Sequence, residues 1–432
     1  MPTECSPSLF EFARVEGRAV VASFDGGRIT SDAGALLLGA AARVIGLTRK
    51  LAACFTDMRN PAFIEHEVET LVMQRVAGIA LGYEDLNDHD ELRHDPVLAT
   101  LAGKLAAQRS DCAPLAGKSR LNRLELSRAE PTRYARLAAD TAAIEKLFVD
   151  LFLDAHNSAP KQITLDLDAT DDPLHGHQEG RFFHGYYDCY CYLPLYVFCG
   201  RHLLAAKLRQ SNADASAGAV EEVARIVSQI RARWPCVRIL LRADSGFARE
   251  ALMAWCESNK VDYLFGLARN VRLTAAIEAA MNEARAEAEK TGKPARRFRD
   301  FTWSTLESWS RTRRVIGKAE WTGGEANPRF VVTSLSAAEA GIFTNGFIAR
   351  VARWRTVSRN ASSICSLTAP QRQPCGPTNY ASGSPPPPTC CCARCVASVW
   401  RTPSSPMLPA ARSGSGCSRS VPWCGSACAG SL

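Results

Sequence analysis

No carboxylate follows Glu339 in this 432-residue chain and no lysine follows Lys318, while nine arginines lie between Arg350 and Arg419. A segment of Ser, Pro, Cys, Arg, Ala and Trp with no periodic apolar pattern gives neither helix nor strand a face to bury. The fold must therefore be made by roughly the first 340 residues, which is length enough for two or three domains with cores. The nine arginines also account for the whole net charge of +8. They leave the body at about −1, so overall basicity carries no argument for a nucleic-acid partner.

With 46% hydrophobic and 22% charged residues, the chain is neither collagen, nor coiled coil, nor disordered throughout. No run approaches the ~20 apolar residues that cross a bilayer. The start, MPTECSPSLFEFARVEG, lacks the basic and apolar regions of a signal peptide, so a cytoplasmic location with no membrane partner is expected. Eight of the 17 cysteines are scattered through the body, without a paired CxxC spacing, as expected of reduced thiols. The other nine crowd the tail. Cys390, Cys391, Cys392 and Cys395 follow SGSPPPPT with no histidine and no second ligand pair, a poor zinc knuckle.

Disordered tails are usually poor in Cys and Trp and rich in Glu and Lys, so disorder alone does not explain this composition. A GC-rich gene read in the wrong frame does. Ala352 to Pro370 can be written in codons that, regrouped two bases later, read EVENRIKECQLDLFADRT. That string is charged and amphipathic, with good helix formers throughout.

Within the body, residues 1–158 read as a mainly helical N-terminal region. SDAGALLLGAAARVIGLTRKLAACF starts at Ser31-Asp32 with apolar residues at helical spacing, and PAFIEHEVETLVMQRVAGIALGY repeats the pattern. LNDHDELRHDP reads as a polar connection. KSRLNRLELSRAEPTRYARL carries a basic run that suits either a solvated helix face or DNA phosphates.

Residues 159–340 change texture. Strands are expected at 163–170, 192–200 and 203–209, then a helix at 216–233, a strand at 237–244, a helix at 248–259 and a strand at 262–268. A helix at 275–288 and strands at 314–321 and 329–335 follow. The basic segment near 291–318 begins as a loop-like stretch, GKPARRFRDF. Three strands followed by alternating helix and strand describe an α/β layer with a mixed sheet. Residues 341–432 form the anomalous tail.

Acids gather where strands end. Asp166, Asp168, Asp171 and Asp172 close the first strand and Asp244 closes the fourth. An acid terminating an apolar strand is costly unless it binds something, although DATDD also suits a turn and Asp244 a helix cap. Two such acids on neighbouring strands repel each other without a cation, and oxygen-only ligands favour Mg²⁺ or Mn²⁺. Two ions bridged by carboxylates are a standard device for in-line attack on a phosphodiester. Acids at the ends of the first and fourth strands in this order are the layout of the ribonuclease H-like fold.

The strings LDLDATDDPLHGHQEGRFFHGYY, CYLPLYVFCGRHLLAAKLRQSNADAS and ILLRADSGFAREALMAWCE with YLFGLARN resemble the DDE-type transposases of bacterial insertion sequences, transposase DDE group 1. The resemblance runs over roughly residues 15–340. It implies a ribonuclease H-like catalytic core after a helical DNA-binding region. It also implies metal-dependent cleavage at terminal inverted repeats and strand transfer, with two Mg²⁺ or Mn²⁺ ions, DNA as partner, a homodimer on paired ends and a nucleoid-associated location. Asp168 matches the first catalytic and metal-holding aspartate and Asp244 the second, with Asp166, Asp171 and Asp172 as neighbours or substitutes. The family's third acid is a helical glutamate in a setting like E-N-x-I-K-E. No such residue is in frame, but EVENRIKE in the regrouped tail has one, encoded across Trp354 and Arg355. Glu339 is a poor stand-in. The other readings of the same residues are a non-catalytic DNA-binding remnant and a generic metal-dependent nuclease.

His175, His177 and His184 suggest a metal site by HxH spacing, yet DNA contact or a structural hydrogen bond suits them better. Tyr186, Tyr187, Tyr190 and Tyr192 read as cross-strand packing, not base stacking. Arg296, Arg297, Arg299, Arg311, Arg313 and Arg314 form the strongest basic patch and are the expected DNA-phosphate contacts.

Overall fold

The computed structural model describes residues 13–20, 30–127, 129–133, 135–174, 176–177 and 180–336. Glu339, His175, the cysteine-rich run and the whole tail lie outside the described residues.

The N-terminal part packs helices α1 (Ala35–Ile45), α2 (Leu47–Ala52), α3 (Val68–Leu81), α4 (His89–Leu92), α5 (Pro96–Leu101), α6 (Lys118–Glu125) and α7 (Thr141–Asp154) around a short antiparallel pair, β1 (Phe55–Asp57) and β2 (Leu137–Ala139). The long helix expected from Ser31 is broken at Gly46, whose φ of 65° ends α1 in the left-handed region that favours glycine. Helix α3 is buried along most of its length, including Gln74 and Arg75 at 0% exposure. Arg75 donates to Glu125 and to the carbonyls of Tyr83 and Glu84, so its charge is neutralised and its donors are filled.

LNDHDELRHDP is not a polar connection. It forms a 3-10 turn and α4, and His89 is fully buried. The side-chain nitrogens of Gln74 and Arg75 stand 3.2 and 3.5 Å from its two ring nitrogens, so a second ring proton would meet a donor. Burial first, and then the Arg75 charge, push the ring down to about 3. The unfolded chain binds that proton near the ordinary 6.5, so this contribution is fully present above about 6.5 and is lost as pH falls. Acidification from pH 7 to pH 5 is expected to remove roughly 2 kcal/mol, a fall of several degrees in thermal midpoint. The slope should flatten in His89→Gln. An unchanged slope would remove His89 as its source.

The second part is a mixed sheet. Strands β3 (Gln162–Ala169), β4 (Asp172–Pro173), β5 (Phe182–His184), β6 (Cys189–Tyr192), β7 (Leu195–Cys199) and β8 (His202–Lys207) come first. Then follow α8 (Ala219–Arg233), β9 (Arg238–Ala243), α9 (Glu250–Ser258), β10 (Asp262–Leu267), α10 (Val271–Ala276), α11 (Glu278–Thr291), β11 (Ala295–Trp303), β12 (Arg313–Thr322), β13 (Glu325–Ala326) and β14 (Arg329–Thr333).

The main sheet runs β11-β12-β14-β10-β9-β3-β7-β8. Strands β7 and β8 continue β3 as an antiparallel meander, and β9 and β10 run parallel to β3. The sub-order β8-β7-β3-β9-β10, with helices between the parallel strands, is the ribonuclease H-like arrangement. Strands β4, β6 and β5 form a separate three-stranded sheet, mostly in residues 172–191, between two of the expected strands.

Period-two alternation splits each strand of the sheet between two faces. Leu165, Leu167, Leu241, Tyr263 and Phe265 face the large core, where Val223, Ile226 and Ile230 of α8 and Met253 of α9 cover them. Tyr196, Phe198 and Leu203 of β7 and β8 belong to a second cluster, shared with the N-terminal helices. Helix α7 supplies Phe152 to the first and Phe148 to the second.

The segment read as loop-like is also a correction. GKPARRFRDF contributes most of β11, a nine-residue strand with five consecutive exposed positions. Its charges lie on an edge of the sheet, where they hide the apolar alternation that reveals inner strands.

Candidate active site

Strands β3 and β9 pair in parallel with Asp166 opposite Arg242. Beyond that pair, Asp168 lies two residues further along β3 and Asp244 two residues further on, just past the end of β9, so the two acids lie towards the same end of neighbouring parallel strands. Leu165 and Leu167 point into the core, which turns Asp166 and Asp168 to the other face. The four acids of the first strand therefore part company.

Asp166 is held by Arg242 through two hydrogen bonds, 2.6 Å from Nε and 2.7 Å from Nη2. Such a bidentate pair neutralises the carboxylate and occupies both oxygens. Asp168, 6% exposed, lies opposite Tyr196 of β7. Asp172, 2% exposed, starts the small sheet opposite Tyr192.

Asp244 follows β9 directly and caps the 3-10 turn Ser245–Phe247, its Oδ1 accepting from the Gly246 N–H at 2.8 Å. The cap reading is therefore correct in itself, and Asp244 is still only half-buried. Gly266 of β10 makes the turn possible, because a Cβ there would stand 2.9 Å from the Ser245 nitrogen. The short approach lets the second acid project at the strand end instead of being displaced by its neighbour.

Tyr187 ties these groups together. It lies in the turn between β5 and β6 and is half-buried. Burial, and then the negative charges of Asp171, Asp168 and Asp244, push its hydroxyl up to about 12. The phenol thus keeps its proton at neutral pH. Sequence reading assigned Tyr187 to packing, and nothing in strand-like spacing shows that a turn folds back onto the acids. Its neighbour His184 lies 4.8 Å away ring to ring, with a buried Nδ1 that has no hydrogen-bond partner among the described residues. His177 is exposed and stands 2.7 Å from Arg181 Nη2, a hydrogen bond rather than a metal contact.

Oxygen-only donors at Asp168 and Asp244 fit a hard divalent cation. Among the described residues, no group of three or more His, Cys, Asp or Glu is arranged to hold a metal. The described residues thus bring two acids towards one end of the parallel strands.

The arginine patch does not survive as one surface. Arg313 is 4% exposed, bound by Glu250 and Glu257 and stacked over the Trp309 ring. It is a buried structural cation, which corrects the expectation of a phosphate contact there. Arg314 pairs with Asp300 and donates to the Leu335 carbonyl. Arg297 and Arg299 pair with glutamates of α11, and Arg311 pairs with Glu257. Alternation places Arg297 and Arg299 on the α11 face of β11 and Arg296 on the other.

No helix of the described residues is long and apolar enough to cross a membrane. A family profile described as transposase DDE domain group 1 matches residues 12–353. No curated protein matches the chain in sequence. Among solved structures, the chain is similar to a piggyBac transposase in a synaptic complex with hairpin DNA. That match has 11% identity and a TM-score of 0.39, over 84% of this chain and 73% of that one. With the profile spanning most of the sequence, the chain belongs to the transposase DDE domain group 1 family.

Proposed function

We propose that this chain descends from an insertion-sequence transposase that cleaves DNA at terminal inverted repeats and transfers 3′-hydroxyl ends to target DNA. The observation that carries the reading is the parallel pairing of β3 and β9, which brings the strand that bears Asp168 beside the strand that leads into Asp244. These two carboxylates would hold Mg²⁺ or Mn²⁺. A bound ion pair would supply activation of the attacking water or 3′-hydroxyl and charge relief at the leaving oxygen. The protonated Tyr187 hydroxyl beside them can donate to a phosphate oxygen. Exposed Arg296, Arg297, Arg299 and Arg311 would contact the DNA backbone; the α11 glutamates that Arg297 and Arg299 meet are also exposed and such pairs are weak, whereas Arg311 would have to leave the largely buried Glu257. Arg313 and Arg314 would act by holding the β11–β12 hairpin in place.

The working enzyme is proposed to be a homodimer on paired ends, in the cytoplasm with the nucleoid. Its third acid is proposed to be the second glutamate of EVENRIKE, restored when the codons from Ala352 are read two bases later. The chain as written is then a DNA-binding remnant with two of three acids. Sequencing the gene across the codons for Leu335–Pro370 tests the frame directly.

A strand-cleavage assay with Mn²⁺ and end-containing DNA tests the chemistry. The chain as written and its Asp168→Asn variant are expected to cut equally, at background. The frame-restored chain is expected to cut at the ends. Strong cleavage by the chain as written would overturn the remnant reading, and cleavage without end preference would favour a generic nuclease.

A further inference from the structure

The small sheet beside the acids carries the densest exposed aromatic surface of the described residues. Phe183 and Tyr190 face each other across β5 and β6, with ring centroids 5.5 Å apart and edge to face. They are 54% and 47% exposed. The Arg181 guanidinium lies over the Tyr190 ring, 4.6 Å from its centroid. At the tip, Tyr186 is 84% exposed, and its ring meets that of Tyr187 edge to face at 5.0 Å. Only Tyr192 of the four tyrosines is buried; Tyr190 meets the expectation of cross-strand packing through Phe183, and Tyr186 at the tip does not.

Large aromatic faces left in water are unfavourable unless something covers them. Here the cover is constrained by charge and by place. A guanidinium beside the rings attracts an anionic backbone, and flat faces with an adjacent cation are how unpaired bases are bound without sequence readout. Tyr187, in ring contact with Tyr186, is the residue that feels Asp168, Asp171 and Asp244. The small sheet is also joined to the segment that leaves β3, because Asp172 pairs with Tyr192 of β6.

We infer that the β5–β6 hairpin is a stacking platform for unpaired nucleobases. Tyr186 and the Phe183–Tyr190 pair would receive bases of the strand whose phosphodiester lies at Asp168 and Asp244, and Arg181 would meet its phosphate. This rests on the proposed DNA-cutting role and deepens it. It requires the helix to open at the cut site, which the duplex alone does not supply.

The test uses the full chain and two probes: a blunt duplex, and the same duplex with a short single-stranded thymine overhang carrying one 2-aminopurine. The parent is expected to bind the overhang probe on the order of tenfold more tightly than the blunt one, and to quench its fluorescence by stacking. Tyr186→Ala and Phe183→Ala should lose both effects while keeping blunt-duplex affinity. Tyr186→Phe should keep both, because the ring and not the hydroxyl does the stacking. A parent without overhang preference, or alanine variants that retain it, would overturn the platform and leave duplex binding intact. A parent that binds neither probe would instead overturn the DNA-cutting role itself. Loss of self-association in Tyr186→Ala, with quenching unchanged, would show that a second copy covers the rings.

Discussion

In the frame-restored chain, Asp168→Asn and Asp244→Asn are each expected to lower end cleavage by about a thousandfold or more, with the fold retained. The amide keeps the shape of the carboxylate but removes the negative charge, and several kcal/mol of transition-state stabilisation depend on that charge. Asp166→Asn is the control that separates position from chemistry. It lies two residues away on the same strand face, yet its carboxylate is held by Arg242. Removing its charge leaves a guanidinium that is largely buried and short of its partner, so the expected loss is stability, on the order of 3 kcal/mol. Single-turnover cleavage and thermal unfolding, measured on the same three variants, should therefore sort them oppositely. Equal catalytic defects in Asp166→Asn and Asp168→Asn, at equal stability, would sink the assignment of roles.

The second large effect concerns Arg313. Arg313→Ala is expected to destabilise the protein by about 3–5 kcal/mol, because Glu250 and Glu257 lose a shared partner whose side chain is buried. The slope of DNA affinity against salt should not change, since no phosphate contact is removed. The same group predicts an acid limb. Hydrogen bonding to Arg313 is the main cause that holds Glu250 down to about 2 from the usual 4.5. The folded form therefore binds this proton less readily than the unfolded form. The resulting stabilisation is present above about 4.5 and is lost as pH falls from there towards about 2. In Arg313→Ala that portion of the acid transition should disappear. A shallower salt slope with unchanged stability would restore Arg313 to the DNA surface.

The strands that bear the acids were legible because they are inner strands. ITLDLDAT alternates apolar and polar residues and VRILLRAD carries a short apolar run, each leading to an acid, and they form most of β3 and β9. Even the cationic partner of Asp166 was within reach. LDLD and LRAD put a charged residue two positions before each aspartate, and parallel strands in register bring Asp166 to Arg242. What could not be read is whatever depends on which face a residue takes in an unrecognised element. Strand β11 looked like a loop because its alternating positions are charged on both faces, and that mistake made one patch of six arginines that alternation divides. The small sheet hid in a polar stretch of short strands, and with it the return of Tyr187 to the acids. His89 looked exposed because its neighbours Asp88 and Asp90 are charged, while the pocket that buries it is built by α3.

Strand β11 has one further consequence. Among the described residues it pairs only with β12, so one long row of its peptide groups has no strand beside it. Such a border is a template on which another copy could add a strand, and then another. Arg296, Arg297, Arg299 and Asp300, all exposed, stand along that border. A second identical strand laid against it would bring like charges together without water between them. The charges that suggest a nucleic-acid surface thus also keep the protein from polymerising through its own sheet. A variant neutral at Arg296, Arg297 and Arg299, with the Asp300–Arg314 pair kept, would gain a route to fibres.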